Sequence, residues 1–399
     1  MSEKWRNWSG SLTFRPGRFV EPETEEALQE LVHAASRRGE ALRVVGAGHS
    51  STPLVVTADT SISLGKFEGV QSADREACEA WVAAGTTIHE MGKQLLQEGL
   101  AVHNLGDVDV QRIGGALGTG THGSGFRLQN LSTMLLGVRM VGADGEVAER
   151  NIETEPEFIR AARVALGTLG IFTSVRLKLL PRYQLHRQEW CTSVEACLDH
   201  LGELVEQNRN FDFYWYPRSD QIKLRTLNPP GQAPQLHYAD LLNEVVDWAP
   251  NVISKTRELR FDEIEYAMPA EAGPEVFCEV RRRIKERHLP TVGWRTLYRT
   301  TAADDAYLSN AYGRQTVTLS LHQNAGLPFQ EFFDDIEPIF RAHHGRPHWA
   351  KKHGLCAEQL APLYPQWGAF REMRRRVDPD GRFMTPYMRE LLGEVTGVF

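Results

Sequence analysis

The chain has 399 residues, enough for two or three domains, and its 41% hydrophobic and 24% charged residues are typical of a globular protein. Its formal net charge of −7 argues against nucleic acid or an anionic membrane as a partner. No apolar stretch approaches the roughly 20 residues that a membrane span needs. A polar N-terminal stretch and five scattered cysteines without a CxxC pair favour a cytoplasmic location over secretion.

Residues 1–183 are predicted to alternate strands and helices. Thr24 suits a helix N-cap because its hydroxyl can accept a hydrogen bond from a first-turn amide, and Gly39 suits the end of that helix. The other elements predicted here are strands at 41–45, 80–84 and 174–180, a helix from Thr87 to near Gly99, and a hairpin over 137–148.

The pattern changes after Pro181. Large aromatic residues recur at every second position over 211–216, which predicts a half-buried strand. Further strands are predicted near 258–267, 291–300 and 315–322, with a long helix over 274–287. These features predict a second, α+β domain with an antiparallel sheet.

Two glycine-rich segments are the main candidates for ligand binding. Val44–Ser50 follows a strand, but Ser51 stands where a Rossmann fingerprint needs its third glycine, so this segment alone fits either a nucleotide site or a tight turn. The segment 114–125 has six glycines in twelve residues, which predicts a loop that lays its backbone along a polar ligand. Together they suggest one extended ligand that contains a pyrophosphate.

Four motifs in order carry a resemblance that covers nearly the whole chain: GAGHS at 46–50, NLGDVD at 104–109, GGALGTGTHGSG at 114–125 and HWAK at 348–351. They resemble FAD proteins of the vanillyl-alcohol-oxidase type, and within them the aldonolactone oxidoreductases, a group that includes alditol oxidase. The resemblance implies an α+β fold with a two-subdomain FAD-binding domain at 1–183. It also implies an α+β cap domain with an antiparallel sheet at 184–340 and a C-terminal segment at 341–399 that returns to the flavin.

The resemblance further implies that FAD is attached covalently through His49; the alternative is a phosphate-loop histidine without a bond. The 114–125 segment has no cysteine, so a single attachment is expected. Gly106 matches a small residue beside the flavin that lets dioxygen approach, which favours an oxidase, although it also fits a turn. The FAD-contacting residues expected besides His49 are Gly46, Ala47, Gly48, Ser50, Gly106, Asp107, Gly114, Gly115, Gly118, Thr119, Thr121, His122, Gly123 and Ile171.

Removing a hydride from a carbinol requires positive charge near the developing alkoxide. Lys351 matches the active-site lysine of the group and Arg299 its substrate-binding arginine, with Arg295 as the second choice. Relatives have Glu-x-Arg on this strand, whereas Leu297 replaces the glutamate here. The further substrate contacts expected are Asp107, Ser320 and His322, although the two strand residues also fit an exposed sheet face.

The resulting hypothesis is an FAD-dependent oxidase of a sugar-derived carbinol, favouring an aldono-1,4-lactone, with hydride transfer to flavin N5 and reduction of dioxygen to hydrogen peroxide. The alternatives are an alditol oxidase, a lactone dehydrogenase with another electron acceptor, and a non-catalytic flavin carrier, which would not need Lys351 or Arg299. The histidines near 343–353 match no standard ligand spacing, so no metal is expected. The partners expected are a lactone or polyol and dioxygen, with the protein a monomer or small homo-oligomer.

Overall fold

The computed structural model describes residues 4–254 and 258–394. Its strands, numbered in chain order, are β1 (Trp5–Arg6), β2 (Thr13–Phe14), β3 (Arg18–Val20), β4 (Leu42–Val45), β5 (Thr60–Ser63), β6 (Val70–Asp74), β7 (Glu79–Ala83), β8 (Leu100–Ala101), β9 (Leu135–Val141), β10 (Val147–Asn151), β11 (Ile171–Lys178), β12 (Leu180–Pro181), β13 (Gln184–Ser193), β14 (Asn210–Tyr216), β15 (Gln221–Asn228), β16 (Asp240–Trp248), β17 (Phe261–Pro269), β18 (Thr296–Thr301), β19 (Thr316–Asn324) and β20 (Arg346–Pro347).

The α-helices in the same ranges are α1 (Glu25–Arg38), α2 (Ile88–Gln97), α3 (Ile113–Gly118), α4 (Pro156–Ala162), α5 (Val194–Asp199), α6 (Leu201–Gln207), α7 (Ala249–Ile253), α8 (Gly273–Arg283), α9 (Gln330–Ala342), α10 (Ala357–Leu360), α11 (Trp367–Val377) and α12 (Pro386–Leu391). A π-helical turn, Ile284–His288, continues α8, and 3₁₀ turns lie at Pro53–Val55, Leu131–Met134, Ala270–Ala272 and Ala361–Leu363. None of these helices combines the length and apolar character needed to cross a membrane.

The N-terminal region contains a parallel sheet, β3-β5-β4, and a second sheet in the order β10-β9-β11-β7-β6. Local capping explains where α1 begins and ends: Thr24 Oγ1 accepts a hydrogen bond from the Ala27 amide at 3.2 Å, and Gly39 adopts a φ of 65° that closes the helix. The predictions for this helix and for the hairpin, which β9 and β10 form, are therefore confirmed.

The cap region is built on a sheet of eight strands within the described residues, in the order β16-β13-β15-β14-β18-β19-β17-β20. All of its pairs are antiparallel, as predicted. Helices α8 and α9 cover one face, where Tyr266 of β17 meets Glu337 of α9. Because side chains alternate along a strand, Glu263 and Glu265 point to the opposite face. The domain boundaries at 183 and 340 stay a prediction.

The expectation of a loop throughout 114–125 is wrong for its first half. Residues Ile113–Gly118 form α3, because Ile113, Ala116 and Leu117 recur at helical spacing and pack into the core. The long helix and the strands predicted beyond 258 are present, but β17 begins at Phe261 and β18 at Thr296.

Gly85, which follows β7, provides a test of how closely the backbone packs at this point. A Cβ there would lie 1.9 Å from the Leu64 carbonyl oxygen and 2.7 Å from that of Phe67, and backbone atoms cannot yield as a flexible side chain does. We expect Gly85→Ala to lower the free energy of unfolding by about 2 kcal/mol or more. The matched control is exposed Gly202→Ala in α6, whose Cβ meets nothing within 4 Å and which should leave the free energy of unfolding unchanged or raise it by up to about 1 kcal/mol. Equal urea midpoints for the two variants would contradict this packing.

Candidate active site

Two cavities meet at His49. The first, here called the glycine cavity, has a volume of about 1140 Å³ and is lined by residues of 43–50 and 114–119 together with apolar side chains such as Leu54 and Phe172. The second, here called the carboxylate cavity, has a volume of about 810 Å³ and includes Asp107, Glu263 and Glu265 in its wall. Both are lined by Gly48, His49, Gln111 and Ala350, so they adjoin along this boundary.

The glycine cavity collects most of the residues predicted to contact FAD. Those in its wall are Gly46, Ala47, Gly48, His49, Ser50, Gly114, Gly115, Gly118 and Thr119. A Cβ at Gly115 would meet no atom within 4 Å, so this position faces open space that a side chain would partly fill. The absence of side chains keeps the cavity open for a ligand that approaches the backbone closely.

The remaining predicted cofactor residues divide into two groups. Gly106, Asp107, Thr121 and His122 line the carboxylate cavity. Ile171 and Gly123 are not among the residues that line either cavity. Ile171 is fully buried in the core, and a Cβ on Gly123 would lie 2.3 Å from the Leu105 carbonyl oxygen, which makes this glycine a packing requirement.

Buried Arg43 lines the glycine cavity and connects three backbone segments around it. Its guanidinium donates to the carbonyl oxygens of Leu166, Gly167 and Phe383 at 2.8–2.9 Å. Burial lowers the pKa of Arg43 to about 10. These contacts tie the C-terminal segment to β4, and sequence reasoning missed them because their acceptors are backbone atoms.

His49 lies against the N-terminal segment. Its ring stacks on Trp8, with centroids 5.0 Å apart, and the Trp8 amide donates to the Gly48 carbonyl oxygen at 2.8 Å. Burial, with a smaller contribution from the charge of Lys351, lowers the pKa of His49 to about 4. The imidazole is therefore neutral at physiological pH. Trp8 also lines the carboxylate cavity, and no motif in the sequence analysis singled it out.

Each of the two glutamates of β17 is held by a cation and lies near a histidine. Lys351 Nζ donates to Oε2 of Glu263, whose Oε1 lies 3.4 Å from His322 Nε2. Oε1 of Glu265 accepts from Arg299 Nη2 at 2.9 Å and lies 2.7 Å from His122 Nε2. Sequence reasoning missed both glutamates; their signal was two acidic residues on one face of a buried strand that also contains Asp262.

The cations keep both carboxylates ionised. Burial alone would raise the pKa of Glu263, but Lys351 and then His322 outweigh it and lower the pKa to about 2. Against the same effect of burial, Arg299 and His122 hold the pKa of Glu265 well below its ordinary value. Both pairs therefore carry charge: the Arg299–Glu265 pair is buried, whereas the Lys351 side chain of the other pair keeps 22% of its surface exposed.

Backbone pairing places Lys351 opposite Glu263. After β20, the His348 amide donates to the Glu265 carbonyl oxygen and the Lys352 amide to that of Glu263, both at 2.9 Å. His348 Nδ1 accepts from the Ala350 amide at 3.1 Å, and burial lowers the pKa of His348 to about 3, which keeps its ring neutral.

The predicted substrate residues come together only in part. Lys351, Arg299, Asp107 and His322 line the carboxylate cavity, and Asp107 accepts a hydrogen bond from Tyr214 at 2.9 Å. Two others are not among its lining residues. Arg295 lies with its guanidinium 3.6 Å from the centre of the Tyr214 ring, and Ser320 is fully buried between β17 and β18. The roles assigned to all six stay predictions.

A family model described as FAD binding domain matches residues 16–150, and one described as D-arabinono-1,4-lactone oxidase matches 175–239 and 234–391. The L-gulono-1,4-lactone dehydrogenase of Mycobacterium tuberculosis strain H37Rv is 35% identical over 98% of this chain and 100% of its own length. The chain belongs to the D-arabinono-1,4-lactone oxidase family. It therefore carries the FAD-binding domain expected from its glycine-rich motifs.

Two further comparisons support this assignment, one with a related sequence and one with a solved structure. L-gulonolactone oxidase from Bos taurus is 26% identical over 97% of this chain and 98% of its own length. A crystal structure of cholesterol oxidase from B. sterolicum superposes with a TM-score of 0.85 at 16% identity, covering 98% of this chain and 97% of that one. This likeness concerns the fold alone and confirms the predicted combination of an FAD-binding domain with an antiparallel-sheet cap.

The buried neutral His348 predicts a pH dependence of stability. The unfolded chain takes up a proton near pH 6.5, whereas the folded state resists it until about pH 3, so the free energy of unfolding falls as pH drops between these values. Between pH 6.5 and about 5, we expect the free energy of unfolding of His348→Gln to fall by about 1–2 kcal/mol less than that of the wild-type protein. Urea unfolding at several pH values measures it, with exposed His33→Gln as the control for loss of a surface imidazole. The same slope in wild type and His348→Gln would contradict the assignment.

Proposed function

We propose that the chain is an FAD-dependent oxidoreductase that oxidises a carbinol of an aldono-1,4-lactone. One observation carries the proposal: Lys351 and Arg299, each held by a buried carboxylate, line a cavity that adjoins the glycine cavity at His49. The names of the relatives support this substrate class, because they include an L-gulono-1,4-lactone dehydrogenase and L-gulonolactone oxidases.

The residues present fit FAD. The wall of the glycine cavity combines glycine backbone with apolar side chains, as an extended dinucleotide with two heteroaromatic ends requires. Residues 46–50 and 114–119 would hold the dinucleotide, and Gly106, Thr121 and His122 would adjoin its reactive end. Bound FAD supplies the electron acceptor for a hydride.

The chain's own residues bind the carbinol and stabilise its oxygen. The ammonium of Lys351 and the guanidinium of Arg299 place positive charge where the oxygen becomes negative as the C–H bond breaks. Glu263 holds Lys351 in place, and Glu265 does the same for Arg299. Burial of Arg299, Glu263 and Glu265 strengthens their charge interactions.

We propose that His49 forms the single covalent bond to FAD. A neutral imidazole has a free lone pair for this bond, and burial keeps His49 neutral. Its place on the boundary of the two cavities suits attachment to the isoalloxazine end of the ligand, which would lie towards the carboxylate cavity.

We propose dioxygen as the electron acceptor and hydrogen peroxide as its product. Gly106 supports this because it lines the carboxylate cavity without a side chain. A dehydrogenase with another acceptor is the second candidate, favoured by the name of the 35%-identical relative. The proposal includes domains at 1–183 and 184–340, a returning segment at 341–399, a cytoplasmic location, and a monomer or small homo-oligomer.

Covalent attachment predicts that acid-precipitated wild-type protein stays yellow. His49→Ala should give a colourless pellet and a yellow supernatant, because its FAD is held without a bond. Exposed His33→Ala is the control and should behave as wild type. A colourless wild-type pellet, or a yellow His49→Ala pellet, would refute the bond.

The substrate assignment predicts that L-gulono-1,4-lactone and related aldono-1,4-lactones bleach the flavin anaerobically and yield peroxide in air, at higher kcat/KM than polyols. Lys351→Met should lower kcat/KM by about 100-fold or more, since it removes charge next to the reacting oxygen. The control is Lys352→Met, because Lys352 pairs with Asp262 and does not line the cavity. Lactones that leave the flavin oxidised would exclude the proposed reaction.

A further inference from the structure

Glu265 has one carboxylate oxygen whose hydrogen-bonding capacity the chain leaves unused. Oε1 contacts Arg299 and His122. Oε2 is buried and has no hydrogen-bond partner within residues 4–254 and 258–394. A buried carboxylate oxygen without a donor is unfavourable, so native structures provide a partner for nearly all such atoms. The missing donor is therefore expected to come from a bound molecule.

The register of the sheet brings Glu265 to the wall of the carboxylate cavity. Leu297, Ser320 and Glu265 form one cross-strand row, since Ser320 pairs with the other two. Leu297 and Glu265 line the cavity, but Leu297 has no polar side-chain atom. In this row Glu265 is the cavity-lining residue that has a polar side chain.

The charges around the cavity define the chemistry of that molecule. An ionised carboxylate only accepts hydrogen bonds, so Oε2 requires a donor such as a hydroxyl group. Among the described residues, the carboxylates of Asp107, Glu263 and Glu265 line the cavity together with the cationic side chains of Lys351 and Arg299. A ligand that carried its own carboxylate would meet like charges in a poorly solvated space.

We infer that Glu265 is a substrate-binding residue whose Oε2 accepts a hydrogen bond from one hydroxyl group of the lactone. This contact selects neutral, polyhydroxylated lactones over their ring-opened, anionic acids. The inference rests on the proposed function, because it takes the lactone as the ligand. It gives Glu265 a specificity role in addition to its contact with Arg299.

The first test needs only the wild-type holoenzyme and calorimetry. The reference ligand is 2-deoxy-L-gulono-1,4-lactone, which lacks the C2 hydroxyl and so binds without oxidation at that carbon. Among derivatives that each lack one further hydroxyl, one should bind about 10- to 100-fold more weakly, since it leaves Oε2 without a donor. The ring-opened acid should also bind at least about tenfold more weakly. Derivatives that all bind within about threefold of the reference would overturn the inference.

The second test uses Glu265→Gln, which keeps the shape of the side chain and removes its charge. The preference for the critical hydroxyl should fall about tenfold, and adding Leu297→Glu should restore part of it by returning a carboxylate to the same row. The matched control is Glu337→Gln, a buried glutamate on the helix-covered side of the sheet, which should keep the wild-type preference. Flavin content and thermal melting check that each variant is folded.

Each failure has its own signature. If the wild-type enzyme does not bind the reference lactone, the proposed function fails and the inference fails with it. If the lactone binds but Glu265→Gln discriminates as wild type does, only the role of Glu265 is overturned. If Glu265→Gln does not fold, the wild-type ligand series decides.

Discussion

Two ionised carboxylates are buried on one face of β17, and the active site is arranged around the need to neutralise them. Moving a carboxylate out of water costs several kcal/mol, and a well-placed cation offsets this cost. Lys351 reaches Glu263 from the segment after β20, and Arg299 reaches Glu265 from β18. Displacing either cation would leave a buried charge unpaired, so the pairs hold several elements in one arrangement.

The two cavities divide the chemistry between them. Several residues in the wall of the glycine cavity are glycines, so the backbone itself can contact a long ligand. The carboxylate cavity is defined by charged side chains, which suits a small molecule with many hydroxyl groups. His49 lies where they adjoin, neutral and stacked on Trp8. FAD and a small substrate would therefore contact different walls, and different parts of the chain provide them.

The features that the sequence predicts correctly are those that depend on residues close together in the chain. The cap at Thr24 and the left-handed Gly39 depend on neighbouring residues, and both are present. The strand predicted at 211–216 is present as β14, but the expectation that it is half-buried is wrong, because residues on both of its faces are buried within the cap sheet. The glycine-rich segments were predicted as ligand sites from their composition, whereas Lys351 and Arg299 were identified through resemblance. Most of these residues line the cavities. Glu263 and Glu265 were missed because their role comes from strand register and from partners far away in the chain. The glycine segment was taken as a loop because its three buried apolar residues, which support α3, are few.

A double-mutant cycle between Glu263 and Lys351 tests the central claim most directly. The free energy of unfolding is measured by urea denaturation for wild type, Glu263→Gln, Lys351→Met and the double variant. If the pair holds the site together, the double variant is more stable than the sum of the single effects predicts, with a coupling energy of about 1–3 kcal/mol. Single effects that add within about 0.5 kcal/mol would show that the two residues do not depend on each other and would contradict the account.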